Sequence, residues 1–127
     1  MTNRTKGNLF EKDFCTYAAN KGYYAHNNVQ GEFGQPFDVQ LCKNDTCYQI
    51  DCKVCDADRF PVKGIQPNQR TSFELLESVG CHNNFIVVKF ENKGHTVFLP
   101  WNQIKQYPIK TSVPFSDFYP LERLWRL

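Results

Sequence analysis

Two aspartates and a lysine are spaced so that two paired strands would bring their side chains together. Asp38 lies in the stretch FDVQLCK, and Asp51 and Lys53 lie in the stretch YQIDCK that follows it. The dipeptide Asn44-Asp45 between the two stretches tolerates the positive φ angles that tight hairpin turns need. Pairing that steps outward from this turn places Asp38 directly across from Asp51. The sequence therefore predicts a β-hairpin with two opposed carboxylates and a nearby lysine.

The two faces of this hairpin differ in character, because side chains alternate along a strand. The predicted apolar face carries Phe37, Val39, Leu41, Tyr48, Ile50, Cys52 and Val54. The predicted polar face carries Asp38, Gln40, Gln49, Asp51 and Lys53. Like charges opposed across a ladder are destabilising, so a purely structural hairpin has little reason to contain them. A divalent cation would turn the repulsion into a binding site, and a surface salt bridge is the alternative interpretation.

The chemistry that suits such a cluster is phosphodiester hydrolysis. Hard oxygen ligands select Mg²⁺, for which Mn²⁺ can substitute, with water and a substrate phosphate completing the shell. The metal would lower the pKa of a bound water and polarise the phosphoryl oxygen. Lys53 would orient the nucleophile and stabilise the charge that develops in the transition state.

The first helix is predicted over residues 8–20, with Gly22 ending it. Asn8 is the predicted N-cap, and Glu11 three residues later completes a capping box. Glu11 has a second interpretation as a metal ligand, if the helix docks on the acidic edge of the hairpin. The preceding Arg4 and Lys6 are expected beside a mobile chain end.

The rest of the chain alternates strand and helix signals. The predicted elements are a strand at 23–27, a flexible loop at 28–35, the hairpin, a polar loop at 55–64, a helix from Pro67 to Gly80, and strands at 85–90 and 95–99 joined by a turn at 92–94. From position 100 the chain is expected to be irregular, with a short helix at 101–106 and a tail rich in proline and aromatic residues. That tail should pack on the body or on a second subunit, because its side chains are too apolar to remain in water.

Length and composition indicate one globular domain spanning residues 1–127. The chain has 127 residues, of which 41% are hydrophobic and 15% aromatic, and its formal net charge is +2. This charge permits an acidic partner without requiring one. There is no apolar run of about 18 residues and no apolar signal-peptide region near the N-terminus. We therefore expect a cytoplasmic protein with no membrane contact.

The six cysteines offer a different interpretation of the hairpin. Cys42, Cys47, Cys52 and Cys55 have spacings that could be proposed as a zinc site. In the predicted register, however, Cys52 points to the apolar face and Cys42 and Cys47 to the other, so one metal cannot easily bind all four. A reducing compartment makes ordinary thiols the expectation. Cys42 and Cys47 are opposed, so a cross-strand disulfide can form under oxidation.

Other chemistry finds little support. The three histidines are scattered and none neighbours a serine or cysteine in a nucleophile motif, and no glycine-rich phosphate loop is present. A second acidic-x-lysine tripeptide, Glu91-Asn92-Lys93, abuts Gly94 in a predicted turn. We interpret it as a solvated charge pair.

Three separated stretches resemble the PD-(D/E)xK nuclease superfamily, and within it the Holliday-junction resolvases of the archaeal Hjc and bacterial RecU types. These stretches are Arg4-Thr5-Lys6-Gly7 followed by Glu11, the pair Pro36-Phe37-Asp38 and Ile50-Asp51-Cys52-Lys53, and Phe60-Pro61 with Ile65-Gln66-Pro67-Asn68-Gln69. The resemblance implies an αβββαβ core with a mixed central sheet flanked by helices. The segment after position 100 has no counterpart in this pattern.

The resemblance also implies roles for individual residues. The implied catalytic residues are Asp38, Asp51, Lys53, Glu11 and Gln69; the metal ligands are Asp38, Asp51, Glu11 and Cys52; the DNA contacts are Arg4, Lys6 and, on the second helix, Arg70. Asp51 stands where many members of the superfamily have glutamate, which shortens the reach of the carboxylate.

The expected function is that of a Mg²⁺-dependent, structure-selective endonuclease that resolves four-way junctions in DNA. Two symmetric cuts need two active sites, so a homodimer acting on branched DNA is expected. Two alternatives remain open: another nuclease of the superfamily acting on linear or nicked DNA, and a binding or inhibitor protein that has lost cleavage.

Overall fold

The computed structural model describes residues 2–28 and 37–127 and contains a mixed sheet flanked by helices. The elements are α1 (Asn3–Asn20), β1 (Tyr24–Asn27), β2 (Val39–Lys43), β3 (Thr46–Cys55), β4 (Arg59–Pro61), α2 (Pro67–Ser78), β5 (Asn84–Phe90), β6 (His95–Pro100), α3 (Trp101–Ile104), β7 (Ser112–Pro114), β8 (Tyr119–Pro120) and α4 (Leu121–Leu124). Short 3-10 turns lie at Val62–Gly64, Glu91–Lys93 and Phe115–Asp117. The predicted loop at 28–35 and the motif residue Pro36 lie almost wholly outside the described residues.

The central sheet has the strand order β1-β2-β3-β5-β6-β8. β3 and β5 run parallel, and every other pair in this sheet is antiparallel. The parallel pair requires a crossover connection, and α2 lies within that connection. The order of α1, three strands of the main sheet, α2 and further strands confirms the predicted mixed α/β fold.

The hairpin of β2 and β3 has the predicted turn and register. Asn44 and Asp45 have φ angles of 53° and 64°, as a two-residue hairpin turn with two left-handed positions requires. The ladder runs from Lys43 opposite Thr46 to Val39 opposite Ile50. Its continuation brings Asp38 to the level of Asp51.

The first helix begins five residues earlier than predicted. The hydroxyl of Thr2 accepts a hydrogen bond from the backbone N–H of Thr5 at 3.1 Å and caps the helix at Asn3. The predicted capping box of Asn8 and Glu11 is therefore wrong, because both residues lie inside the helix. In consequence, the N-terminal basic segment is part of the same rigid element as Glu11.

Two apolar cores lie on opposite faces of the sheet. The first core, on the α1 side, contains Phe10, Phe14, Ala18, Tyr23, Val39, Leu41, Tyr48, Ile50, Cys52, Phe85, Val87, Phe98, Leu121 and Leu124. The second core, on the α2 side, contains Cys55, Phe60, Val62, Ile65, Phe73, Ile86, Val88, Phe90, Val97, Leu99, Trp101, Ile104, Val113 and Phe118. Phe37 packs against the second core rather than with Val39 as predicted. Phe37 lies before β2, which begins at Val39, so its side chain does not follow the alternation of side chains along the strand.

The segment after position 100 contains regular elements that join it to the body, in place of the expected irregular tail. β7 pairs with β4, and β8 pairs with the edge of the main sheet at β6. The ring of Trp125 stacks on Phe14 of α1. No helix within residues 2–28 and 37–127 is long and apolar enough to cross a membrane.

The four cysteines of the proposed zinc site do not converge. Cys42 and Cys47 form a disulfide across the hairpin, as the register permits. Cys52 belongs to the first core and Cys55 to the second. Because the sheet separates these two thiols, the zinc alternative is not supported.

Candidate active site

A polar groove opens at the beginning of β2, where β3 continues beyond the last paired residue. β3 extends to Cys55, whereas β2 begins only at Val39, so beyond Asp38 one edge of β3 has no β2 partner. α1 borders the groove from one face of the sheet, and the beginning of α2 borders it from the other. Its lining residues are Arg4, Lys6, Gly7, Asn8, Glu11, Asp38, Cys52, Lys53, Val54, Asp56, Gln66, Gln69 and Glu91.

Asp51 is fully buried just beneath this groove. Its Oδ1 accepts a hydrogen bond of 2.9 Å from Nε2 of Gln69, and its Oδ2 lies 3.4 Å from Nζ of Lys53. Burial raises the pKa of Asp51 well above its usual value; Lys53 opposes this rise and the Asp38 carboxylate adds to it. A buried carboxylate held this way has a high free-energy cost when charged, which a further cation would lower.

Lys53 bridges Asp51 and the second helix. Its ammonium Nζ donates a hydrogen bond of 2.9 Å to Oε1 of Gln69 and is ion-paired with Asp51. Only 18% of its side chain is exposed. Because two partners hold the ammonium, Lys53 has a defined position at the groove rather than a range of rotamers.

Gln69 connects the helix cap to the charged pair. α2 begins with Pro67, and Gln66 and Gln69 form a reciprocal capping box in which Oε1 of Gln69 accepts the Gln66 N–H at 3.0 Å. The same oxygen accepts from Lys53, and the amide Nε2 donates to Asp51. One amide therefore both caps the helix and fixes Asp51 and Lys53. The sequence predicted Gln69 only by resemblance.

Asp38 is held against β3 through the backbone of Cys52. Oδ2 of Asp38 accepts the Cys52 N–H at 2.8 Å, and the Asp38 N–H donates to the carbonyl of Ile50 at 3.0 Å. Asp38 is also buried. These contacts extend the hairpin by one step and bring Asp38 beside Asp51.

Glu11 enters the groove from α1 and is partly buried. The pKa of Glu11 is raised to about 7. Burial is the largest cause, the Asp38 carboxylate adds to the rise, and Lys53 opposes it. The electrostatic coupling to both residues indicates that α1 carries this side chain to the charged cluster. The Asp38 carboxylate of the hairpin thus repels both Glu11 of α1 and Asp51 of β3.

The fit of this cluster to a metal ion can be judged from its oxygen atoms. Within residues 2–28 and 37–127, no group of three or more His, Cys, Asp or Glu side chains is preassembled to hold a metal. Oδ2 of Asp51 is nevertheless fully buried beside the Asp38 carboxylate, with the Lys53 ammonium 3.4 Å away. Mg²⁺ commonly uses one or two carboxylates with waters and substrate phosphate oxygens, so the pair Asp38 and Asp51 fits this ion.

The predicted metal ligand Cys52 lines the groove, although its side chain packs in the first core. Its thiol belongs to the first core, and burial raises its pKa well above the ordinary value, with the carboxylates of Asp38 and Asp51 adding to the shift. In the metal-free protein this shift disfavours the thiolate. Cys52 contributes to the site through its backbone N–H, which holds Asp38.

The three predicted DNA contacts separate into two groups. Arg4 and Lys6 line the groove, because both belong to α1. Arg70 is not part of the groove lining. Its guanidinium donates hydrogen bonds to the carbonyls of Val62 at 2.7 Å and Ile65 at 3.0 Å. Arg70 thus holds the segment that leads into α2.

The groove also contains acidic residues that sequence reasoning did not select. Asp56 and Glu91 both line it. Glu91 was interpreted as one half of a solvated pair with Lys93, but it is ion-paired with Lys6, and Lys93 pairs with Asp58. No local pattern signals this partner, because residues 6 and 91 are distant in sequence.

The fold has a counterpart among solved structures, although sequence comparison finds none. No protein-family model and no curated protein sequence matches this chain. Its structure is similar to that of Hjc from Archaeoglobus fulgidus, described as a Holliday junction resolvase from an archaeal hyperthermophile. The TM-score is 0.70, the match covers 95% of this chain and 96% of that one, and the identity is 15%. The resemblance to the archaeal Hjc type is therefore confirmed at the level of the fold.

Proposed function

We propose that this protein is a Mg²⁺-dependent endonuclease that cuts branched DNA, with four-way junctions as its preferred substrate. The observation that carries the proposal is the joint positioning of Asp51 and Lys53 by Gln69 beside Asp38, within a groove that also holds basic side chains. The similarity in fold to a solved Holliday junction resolvase supports the same conclusion.

The residues of the groove have distinct chemical roles in this proposal. Asp38 and Asp51 would hold the metal, with Glu11 as an additional carboxylate from α1. When bound, Mg²⁺ supplies a water of lowered pKa and a Lewis acid for the phosphoryl oxygen. Lys53 stabilises negative charge on the phosphate that undergoes attack, and Gln69 keeps the Lys53 ammonium directed toward it. Arg4 and Lys6 bind phosphates that flank the cleaved one.

A homodimer follows from the proposed substrate. Resolution of a four-way junction needs two cuts related by symmetry, and one chain supplies one cluster of Asp38, Asp51 and Lys53. Two-fold pairing of identical chains would supply the second cluster at the required symmetry.

The direct test uses a labelled synthetic four-way junction with Mg²⁺. We expect paired nicks from the wild-type protein and a loss of cleavage of at least about a hundredfold in Asp51→Asn and Lys53→Ala, because the first change weakens metal binding and the second removes a cation that stabilises the transition state. Matched controls are Asp45→Asn in the hairpin turn and Lys110→Ala, which change the same charges at exposed positions. Both controls should cleave like the wild type.

Competition distinguishes junction cleavage from a general nuclease activity. The labelled junction is incubated with a tenfold excess of unlabelled linear duplex, and nicking should persist if the junction is preferred. Equal competition by linear duplex would favour the alternative of a nuclease acting on linear DNA. DNA binding without any cleavage in Mg²⁺ or Mn²⁺ would favour the binding-protein alternative and contradict the proposed enzyme.

A further inference from the structure

Glu91 has no role in the proposed reaction, yet it lies in the same groove. It begins the 3-10 turn between β5 and β6, directly after the buried Phe90. Anchoring by Phe90 gives the turn a defined place at the wall of the groove, beside the beginning of α1. An acidic side chain at this position is unfavourable for a groove that receives a polyanion.

The carboxylate of Glu91 is paired with a lysine that the proposed function needs. Oε1 of Glu91 lies 3.4 Å from Nζ of Lys6, and their side chains are 31% and 35% exposed. The lysine comes from the first two turns of α1, and the carboxylate comes from the turn between β5 and β6, 85 residues later in the chain. A carboxylate and a phosphodiester are both oxyanions that accept hydrogen bonds from an ammonium. Glu91 therefore occupies the same donor that a DNA phosphate would use.

We propose that Glu91 limits the affinity of the groove for DNA by holding Lys6 until a phosphate displaces it. The inference rests on the proposed function. In the free protein Glu91 neutralises Lys6, and in the complex Lys6 binds a backbone phosphate while the Glu91 carboxylate remains nearby as a like charge. A pair that is about one third exposed is weak enough to exchange reversibly. The ligand of this exchange is the DNA phosphodiester.

The exchange has a defined effect on binding. Removing the Glu91 charge frees Lys6 in the unbound protein and removes repulsion in the bound state, so both changes strengthen binding. Because Lys6 contacts phosphate rather than a base, the gain should not depend on base sequence. We expect Glu91→Gln to tighten binding by about three- to tenfold at moderate salt. The gain should decrease as salt increases, because the interaction is electrostatic.

The test measures the dissociation constant of a labelled four-way junction by fluorescence anisotropy, with Ca²⁺ replacing Mg²⁺ to slow turnover. The variants are Glu91→Gln, Lys6→Gln and their double mutant. Asp45→Asn is the matched control, since it removes the same charge at an exposed position in the hairpin turn, outside the groove. Thermal unfolding is followed for each protein, and Glu91→Ala replaces Glu91→Gln if the latter does not fold.

The expected result is tighter binding by Glu91→Gln and binding within twofold of wild type by Asp45→Asn. In the Lys6→Gln background, the Glu91 substitution should tighten binding by a smaller factor than in the wild-type background, because only the repulsion between the carboxylate and DNA is then removed. Unchanged or weaker binding by Glu91→Gln would overturn the inference. If Glu91→Gln bound DNA more weakly than the wild type only when Ca²⁺ is present, Glu91 would be a cation ligand instead. An equal gain in Asp45→Asn, or a gain of the same size in the Lys6→Gln background as in the wild-type background, would also overturn it.

Failure of this inference is distinguishable from failure of the proposed function. If the wild type cleaves the junction but Glu91→Gln binds no more tightly, only the role of Glu91 is wrong. If the wild type neither binds nor cleaves DNA, both the enzyme assignment and the role of Glu91 are wrong.

Discussion

Gln69 shows why the residue type matters at the candidate site. The side chain must accept hydrogen bonds from Lys53 and from the Gln66 N–H, and it must donate one to Asp51. A primary amide has an acceptor oxygen and a donor nitrogen on one planar group, so it satisfies all three partners together. Glutamate has the same length but lacks the donor in its charged form.

Substitution of Gln69 by glutamate should therefore damage the site. We expect Gln69→Glu to lower the free energy of unfolding by about 1–3 kcal/mol, because the buried Asp51 loses its donor and faces another carboxylate. Junction cleavage should fall mainly through kcat, since Lys53 is displaced. Chemical denaturation and steady-state kinetics measure the two effects. Asn68→Asp, which adds a charge at an exposed neighbouring position, should leave both near wild type; equal behaviour of the two variants would contradict the role of Gln69.

Among the elements, α1 contributes more to the groove than the sequence indicated. Its early start at Asn3 places Arg4, Lys6 and Glu11 on one continuous helix. Gly7 lies inside this helix and lines the groove, and a Cβ at this position would meet no described atom within 4 Å. Glycine in a helix interior is less favourable than alanine. Since no described atom lies close enough to exclude a side chain, packing does not explain why this position is glycine.

Gly7→Ala is accordingly expected to raise the free energy of unfolding by about 0.5–1 kcal/mol. Denaturant unfolding of the metal-free protein measures this change. Thr16→Ala, at an exposed position in the same helix, is the comparison for a change in helix propensity alone. Junction cleavage by the two variants then tests whether DNA uses the open space beside Gly7. Reduced cleavage in Gly7→Ala alone would mean that DNA approaches α1 at this residue. A decrease in stability for Gly7→Ala would show that the added methyl group is not accommodated.

The hairpin illustrates what local sequence predicts well. Its turn residues prefer left-handed dihedral angles, and its alternation of polar and apolar residues excludes a one-residue slip. The observed pairing of Val39 with Ile50 agrees with both signals. The start of α1 was predicted less well, because Asn8 and Thr2 are both good N-caps and the apolar stripe begins only at Phe10.

At the scale of the whole molecule, acidic side chains converge from different elements. α1 brings Glu11, and the hairpin brings Asp38 and Asp51, so the folded metal-free protein brings together like charges that the unfolded chain keeps apart. Burial is the main cause of the raised pKa values of Glu11 and Asp51, and the neighbouring Asp38 carboxylate adds to both. Folding therefore depends on pH through these groups.

The sign of this dependence follows from the direction of the shifts. The pKa of Glu11 is about 7 in the folded state and near 4.5 in the unfolded state, so between these values the folded state binds more protons. Stability contributed by Glu11 therefore falls as the pH rises from about 4.5 to about 7, and Asp51 acts in the same direction. Thermal unfolding across this range should show a smaller loss in Glu11→Gln than in the wild type.

The effect of added Mg²⁺ on the melting temperature is the complementary measurement. Above pH 7 the carboxylates are more fully charged, so added Mg²⁺ should raise the melting temperature more there than at pH 5. The rise should be absent in Asp51→Asn. A melting temperature that does not respond to Mg²⁺ in the wild type would contradict the proposed metal site, and identical pH profiles of wild type and Glu11→Gln would contradict the raised pKa.

The sequence by itself determined the hairpin, its two faces and the opposition of Asp38 and Asp51, because dihedral preferences and alternation act between residues close in the chain. It also indicated the order of helices and strands that the mixed sheet requires. The tertiary structure decided which distant residues share the groove. Gln69 joins Lys53 to Asp51, Glu91 pairs with Lys6, and Arg70 faces backbone carbonyls instead of the groove. Such contacts depend on how two helices pack on opposite faces of one sheet, where many side chains compete for the same partners and no local pattern selects among them.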